Sequence, residues 1–171
     1  GRSAASIDAR PGNAIGVVPA PALARELGVR DVWLVDCTRL GTGTFKDLEA
    51  QVHLAAAADL RREPIALFST GNTARAYHEW ARRLDLECAV MVAHSNLAKL
   101  QGCTATARQT IVTIDGSAAE AAATARRMVA ADGTHRVIDP EWKVEGKAAV
   151  AYAIAEHCPD ADLIVQTVGA G

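Results

Sequence analysis

The sequence predicts an α/β protein, with parallel sheets in three layers and helices on both faces. Three observations carry this. Short continuous apolar runs at residues 32–35, 65–68, 88–92 and 110–114 alternate with segments whose apolar residues recur at helical spacing. Continuous runs, as opposed to alternating ones, mark strands buried on both faces, and strands separated by helices give parallel sheets. The chain has 171 residues, half of them hydrophobic and 22% charged, which suits a globular core and not a disordered or fibrous chain.

Along the chain, Val32-Trp33-Leu34-Val35 reads as a buried strand. From Phe45 onward Leu48, Val52, Ala55, Ala56 and Leu60 repeat at helical period, and Thr44 with Asp47 three positions later resembles a capping box, so Lys46 belongs to the first turn of that helix. Ile65-Ala66-Leu67-Phe68 is a second strand. The polar turn Ser69-Thr70-Gly71-Asn72 stops it, and a helix follows with Ala74, Tyr77, Trp80, Ala81 and Leu84 on one face. Residues 88–92 and 110–114 supply two more strands, with a short helix near Leu97 to Leu100 between them. Residues 118–131 form an alanine-rich helix and 136–138 a further strand. Pro140 breaks the pattern; residues 147–157 then read as a helix and 163–165 as a strand running into Val168-Gly169-Ala170-Gly171.

Charge and composition exclude several classes. Eighteen basic and twenty acidic side chains give a net charge of −2 and no basic block, so neither nucleic acid nor an anionic membrane is an expected partner. The pairs Arg61-Arg62, Arg82-Arg83 and Arg126-Arg127 read as solvated helix faces. Cys37, Cys88, Cys103 and Cys158 include no C-x-x-C pair, so reduced thiols and no metal site are expected. No apolar stretch nears the ~20 residues that span a bilayer, and the first residues lack the apolar core of a secretory signal, which points to a cytoplasmic protein whose opening dozen residues fray.

Three glycine-containing turns carry the chemistry. Gly41-x-Gly43 does not continue as a dinucleotide fingerprint, because Lys46 stands where the third glycine belongs, and no glycine precedes that lysine as a phosphate-binding P-loop requires. A lysine in the first turn of a helix is ordinarily solvent-exposed, but burial and the positive end of the helix would hold it as a free amine, the form that bonds a carbonyl. Gly41 and Gly43 would leave room beside it for a flat cofactor. The backbone N–H groups of residues 70–73 open a second helix and suit a carboxylate. Asn72 adds an amide for a phenolic oxygen, its plainer role being a helix cap. Gly169 to Gly171 would let backbone amides approach a phosphate closely.

In this order the residues resemble the fold-type II pyridoxal-phosphate-dependent enzymes, threonine synthase and its relatives in particular. Thr42-Gly43-Thr44-Phe45-Lys46-Asp47 differs from the family's Thr-Gly-Ser-Phe-Lys-Asp by one residue, and Ser69-Thr70-Gly71-Asn72-Thr73-Ala74 matches its Ser-x-Gly-Asn-Thr-Ala turn. Glu145-Gly146-Lys147 followed by Val168-Gly169-Ala170-Gly171 is similar to its Glu-Gly segment and phosphate loop. The resemblance implies pyridoxal 5'-phosphate as cofactor, held by Lys46 as a Schiff base, with Asn72 at the ring's 3'-oxygen and Val168, Gly169, Ala170 and Gly171 at the phosphate. Ser69, Thr70, Gly71, Asn72 and Thr73 would bind the substrate carboxylate, and Lys46 would also move protons.

The same resemblance implies elimination or replacement on a small amino-acid substrate with a β or γ leaving group. O-phosphohomoserine leads, a phosphoserine-using relative follows, and a serine/threonine dehydratase or an inactive cofactor-binding remnant are the alternatives. A homodimer is among the assemblies open to it. Residues 1–63 would begin a large cofactor-binding domain, 64–136 would form an inserted small domain, and 137–171 would return to the large one. The family has Asn-Pro where this chain has Arg39-Leu40-Gly41, and a small residue or arginine where it has Leu48-Glu49, differences that bear on substrate choice. A chain ending in the phosphate loop is expected to be a fragment, with a pocket open on one side and little catalysis on its own.

Overall fold

The structure, a computed structural model, describes residues 15–60, 64–134, 136–137 and 140–166. It opens with an antiparallel ribbon: Gly16–Pro19 (β1) pairs with Trp33–Asp36 (β2), Gly16 opposite Asp36 and Pro19 opposite Trp33. Pro21–Leu27 (α1) connects them, with Pro21 in its first turn, where a missing N–H costs nothing. The sequence placed a buried parallel strand at residues 32–35. The strand instead begins one residue later, runs antiparallel, and leaves Trp33 and Leu34 nearly half exposed, at 47% and 48%. An apolar run permits burial; only the neighbouring strand decides direction and cover.

The main sheet is parallel throughout. Ile65–Phe68 (β3), Cys88–Ala93 (β4), Gln109–Ile114 (β5) and Arg136–Val137 (β6) lie in the order β5-β4-β3-β6. Between them run Asn72–Arg83 (α3), a 3-10 helix His94–Leu100 and Ala118–Asp132 (α4); Lys46–Leu60 (α2) precedes β3 and Pro140–His157 (α5) follows β6. The pleat sends Ile65, Leu67, Cys88, Val90 and Val92 to one face, against Tyr77, Trp80 and Ala81 of α3 and Leu54 of α2. Ala66, Ala89, Met91 and Ala93 go to the other face, against Ala121 and Ala125 of α4. Helices on both faces of a parallel sheet make the three layers that the continuous apolar runs predict. Small residues on the second face let α4 come close.

Local signals explain the helix ends. Ser117 and Glu120 form a reciprocal capping box at α4, Ser117 N donating to Glu120 Oε2 at 2.8 Å and Glu120 N to Ser117 Oγ at 3.3 Å. Gly133, at φ 68°, closes that helix in the left-handed conformation. Pro140 was expected to break the pattern, yet it is the first residue of α5, the helical position that proline suits best. Residues 163–165 were expected to form a strand. No ladder pairs them among the described residues, and Leu163, Ile164 and Val165 are 78%, 60% and 88% exposed. A strand exists only through the strand beside it.

Outside the sheet α2 packs on both α3 and α5. Gly146 is the point of closest approach: a methyl group there would lie 2.3 Å from the Leu48 carbonyl oxygen and 2.7 Å from Glu49 Cα. The missing side chain brings α5 onto the first turn of α2. Lys147 thereby reaches that turn.

Candidate active site

The loop before α2 is built to fix Lys46. Leu40 N donates to the Cys37 carbonyl at 3.3 Å and Gly43 N to the Leu40 carbonyl at 2.8 Å, with Gly43 at φ 78°, a conformation other residues adopt only with strain. Asp47, wholly buried, ties this loop to the core: Thr42 N and Thr42 Oγ1 donate to its Oδ2 at 2.7 and 2.9 Å, and Trp80 Nε1 donates to its Oδ1 at 2.9 Å. The expected capping box is therefore replaced. Thr44 Oγ1 accepts from Lys46 N at 3.1 Å, but Asp47 is short and reaches across the loop to Thr42. Nor is the space beside Gly41 open for a flat ring, since the Arg83 guanidinium fills it: a Cβ on Gly41 would meet Arg83 Nη1 at 3.1 Å. Arg83 is itself held by Glu79 at 2.7 Å and stacks 4.7 Å from the centre of the Trp80 ring.

Lys46 is the first residue of α2, its side chain 22% exposed. Its Nζ lies 4.5 Å from the Phe45 ring centre and 3.5 Å from Glu49 Oε2, and the same oxygen is 3.3 Å from Lys147 Nζ. From the sequence, burial and the positive end of the helix would leave this amine uncharged and unpaired; the structure pairs it with a carboxylate. Neither Glu49 nor Lys147 stood out beforehand as a functional partner. The i,i+3 spacing of Lys46 and Glu49 was a usable signal, whereas the Lys147 contact depends on how α5 packs. Deeper along the same helix, His53 Nδ1 and the Tyr77 hydroxyl are 3.1 Å apart, and burial, reinforced by the charge of Glu49, pushes the Tyr77 hydroxyl well above its ordinary range.

The second turn opens α3. Ser69 is buried and its Oγ accepts from Gly71 N at 3.1 Å, so that N–H is spent internally. Gly71, at φ 144°, is the N-cap, and no side chain caps the helix. Asn72 is exposed at the first helical position, so it does not cap α3 as its plainer role would have it. The first turn holds no acidic residue, and its N–H groups at Asn72, Thr73 and Ala74 face the end of the helix that attracts anions. Thr70 is exposed and Thr73 partly so. The Lys99 stem crosses this turn so closely that a Cβ on Gly71 would stand 2.5 Å from Lys99 Cδ.

These two features are not in contact. No hydrogen bond or ion pair joins Lys46 to residues 69–73 among the described residues. Asp47, next to Lys46, meets Trp80, which stands eight residues along α3 from Asn72, about 12 Å of helix rise. Val168, Gly169, Ala170 and Gly171, predicted to hold a phosphate, lie outside the described residues. A depression of about 210 Å³ beside α1 and β2, lined by Pro19, Ala24, Arg25 and Trp33 among others, includes none of the candidate residues. The donor set nonetheless fits a carbonyl-bearing, anionic cofactor. It offers a partly exposed amine on a pinned loop, an exposed amide, and an uncapped helix N-terminus without acidic neighbours.

The chain as a whole is similar to known proteins. The model of the family described as pyridoxal-phosphate dependent enzyme matches residues 14–171. Threonine synthase of Bacillus sp. (strain ULM1) is 29% identical over 133 residues, which cover 75% of this chain and 37% of that protein. Among solved structures, a pyridoxal 5'-phosphate-dependent aspartate racemase superposes with a TM-score of 0.74 at 19% identity, covering 86% of this chain and 47% of that one. Diaminopropionate ammonia lyase of Escherichia coli in its apo form gives 0.72 at 14%, covering 91% and 50%. Threonine deaminase isoform 2 of Solanum lycopersicum gives 0.71 at 17%, covering 85% and 41%. Such low identities show a common fold, and the chain spans half or less of the length of each of these proteins. With the family model matched from residue 14 to residue 171, the chain belongs to the pyridoxal-phosphate dependent enzymes.

Proposed function

We propose that this chain forms part of an enzyme that uses pyridoxal phosphate for elimination or replacement on an amino acid with a β or γ leaving group, O-phosphohomoserine being the leading substrate. The observation that carries the reading is Lys46 at the head of α2, on a loop pinned by the triply bonded Asp47. Residues 64–136 are read as a small domain inserted between two parts of a larger one, and phosphoserine remains the second substrate of choice.

On this reading each residue would have a distinct task. Lys46 would hold the cofactor through Nζ, and the same amine would hold and return the proton of the substrate α-carbon. Asp47 fixes the approach of that amine by tying residues 42–47 to Trp80. Asn72 would present its amide to the cofactor's phenolic oxygen, and the N–H groups at the head of α3 would receive the substrate carboxylate. Val168 to Gly171 would hold the phosphate. Bound there, the cofactor supplies an electron sink for the pair left at the α-carbon. The dehydratase reading ranks lower, because an Asp commonly does not follow the lysine in that group, whereas Asp47 here is buried and fully bonded.

The test uses the full-length protein. Borohydride reduction after loading with pyridoxal phosphate, followed by peptide mapping, should place the adduct on Lys46, and Lys46→Ala should abolish it. An adduct elsewhere that survives Lys46→Ala would overturn the assignment. Phosphate release from O-phosphohomoserine and phosphoserine, measured side by side, then chooses the substrate, and release from neither favours the dehydratase.

A further inference from the structure

One carboxylate oxygen serves two ammonium groups from different helices. Glu49 Oε2, on a side chain only 1% exposed, is 3.5 Å from Lys46 Nζ on its own helix and 3.3 Å from Lys147 Nζ on α5. A buried carboxylate left without a cation is strongly destabilising, so at least one of the two must stay. We propose that Glu49 is a positioning residue for Lys46, and that Lys147 is the partner that keeps the carboxylate paired when Lys46 leaves it to bond an aldehyde. This rests on the reading of Lys46 as the imine-forming lysine and adds how its departure is balanced.

Nζ forms a bond to the carbonyl carbon, the carbonyl oxygen departs as water with two of the ammonium protons, and the third proton stays on the imine nitrogen. Nothing is oxidised or reduced. What changes is the environment of Glu49, which loses its nearest neighbour on α2 and keeps Lys147 at 3.3 Å. Gly146 makes this possible, since the contact of α5 with Leu48 and Glu49 is what delivers Lys147. The Phe45 ring is a second neighbour of the Lys46 Nζ, at 4.5 Å from its centre.

The roles of Glu49 and Lys147 have opposite signatures. In the apo form of the full-length protein, the rate of adduct formation at Lys46 is followed by mixing with pyridoxal phosphate, quenching with borohydride and quantifying the labelled peptide, with Lys99 as an internal reference. Lys147→Met should slow labelling of Lys46 roughly fivefold, because departure then strands the carboxylate, while Lys99 is unaffected. Glu49→Gln should speed it by a similar factor, and in that background Lys147→Met should have no further effect. Lys147 is 32% exposed, so its variant tests the idea even if Glu49→Gln folds poorly. Labelling at Lys46 that is unchanged or slowed alike in both variants would overturn the inference and leave the Lys46 reading intact. Absence of any Lys46 adduct in the parent would remove both.

Discussion

Replacing Asp47 by asparagine changes one atom at the site's most connected side chain. The carboxylate accepts from Thr42 N and Oγ1 through Oδ2 and from Trp80 Nε1 through Oδ1, all at 2.7 to 2.9 Å. An amide has a single oxygen. Its best rotamer leaves that oxygen on the two Thr42 donors and turns the NH₂ group toward the indole, so two N–H donors face each other in a buried site. The lost bond to a charged acceptor costs about 1.5–3 kcal/mol, since the indole is left unsatisfied. Removing a negative charge from the first turn of α2 adds about 0.3–1 kcal/mol. Asp47→Asn should therefore destabilise the full-length protein by about 2–4 kcal/mol. Urea unfolding followed by circular dichroism measures it. Trp80→Phe removes the opposing donor, so the double variant should recover about 1–2 kcal/mol relative to additivity. A loss below about 0.5 kcal/mol, or additive single variants, would refute the view that Asp47 anchors the lysine loop.

Two further outcomes follow from packing and titration. Gly146→Ala drives a methyl group into the Leu48 carbonyl oxygen at 2.3 Å, a backbone contact no rotamer relieves, and should cost about 2–3 kcal/mol with faster amide exchange along α2 and α5; wild-type exchange would contradict the close approach. His78 is buried and its Nε2 donates to the Thr104 carbonyl at 3.0 Å, and burial lowers its pKa from the ordinary 6.5. The unfolded chain then binds the extra proton first, so the stability linked to His78 is complete above pH 6.5 and is lost as pH falls through the lower folded value. Unfolding free energy measured from about pH 7 to pH 5 should slope downward toward acid, and His78→Gln should flatten that slope; an unchanged slope would count against the buried neutral ring.

Much of the sheet was legible because its signal is local. Residues 65–68, 88–92 and 110–114 are continuous apolar runs, and a strand covered on both faces has no reason to alternate. The alanine-rich run at 118–131 marked α4 in the same local way, though its Ser117 and Glu120 cap went unread, and Pro140 was misread because proline at a first helical turn and proline after a helix look alike without the next turn in view. Residues 32–35 and 163–165 failed for one shared reason. Strand direction, pairing and cover belong to a neighbour far along the chain, and apolar residues alone do not choose it.

The site divides along the same line. Thr42 to Asp47 and Ser69 to Ala74 are contiguous motifs, so residue order alone marked Lys46 and the head of α3. What Asp47 holds, what fills the space beside Gly41 and who shares Glu49 involve Trp80, Arg83 and Lys147, which lie 33 to 98 positions from their partners. By itself the sequence determined most of the helical and strand periods, the lysine at a helix start and the glycine-asparagine turn that opens α3, because short-range sterics and backbone hydrogen bonding depend on neighbouring residues. Only the tertiary structure decided that the carboxylate paired with this lysine is buried and shared with Lys147, because the packing of α5 on α2 through Gly146 brings that second charge to it.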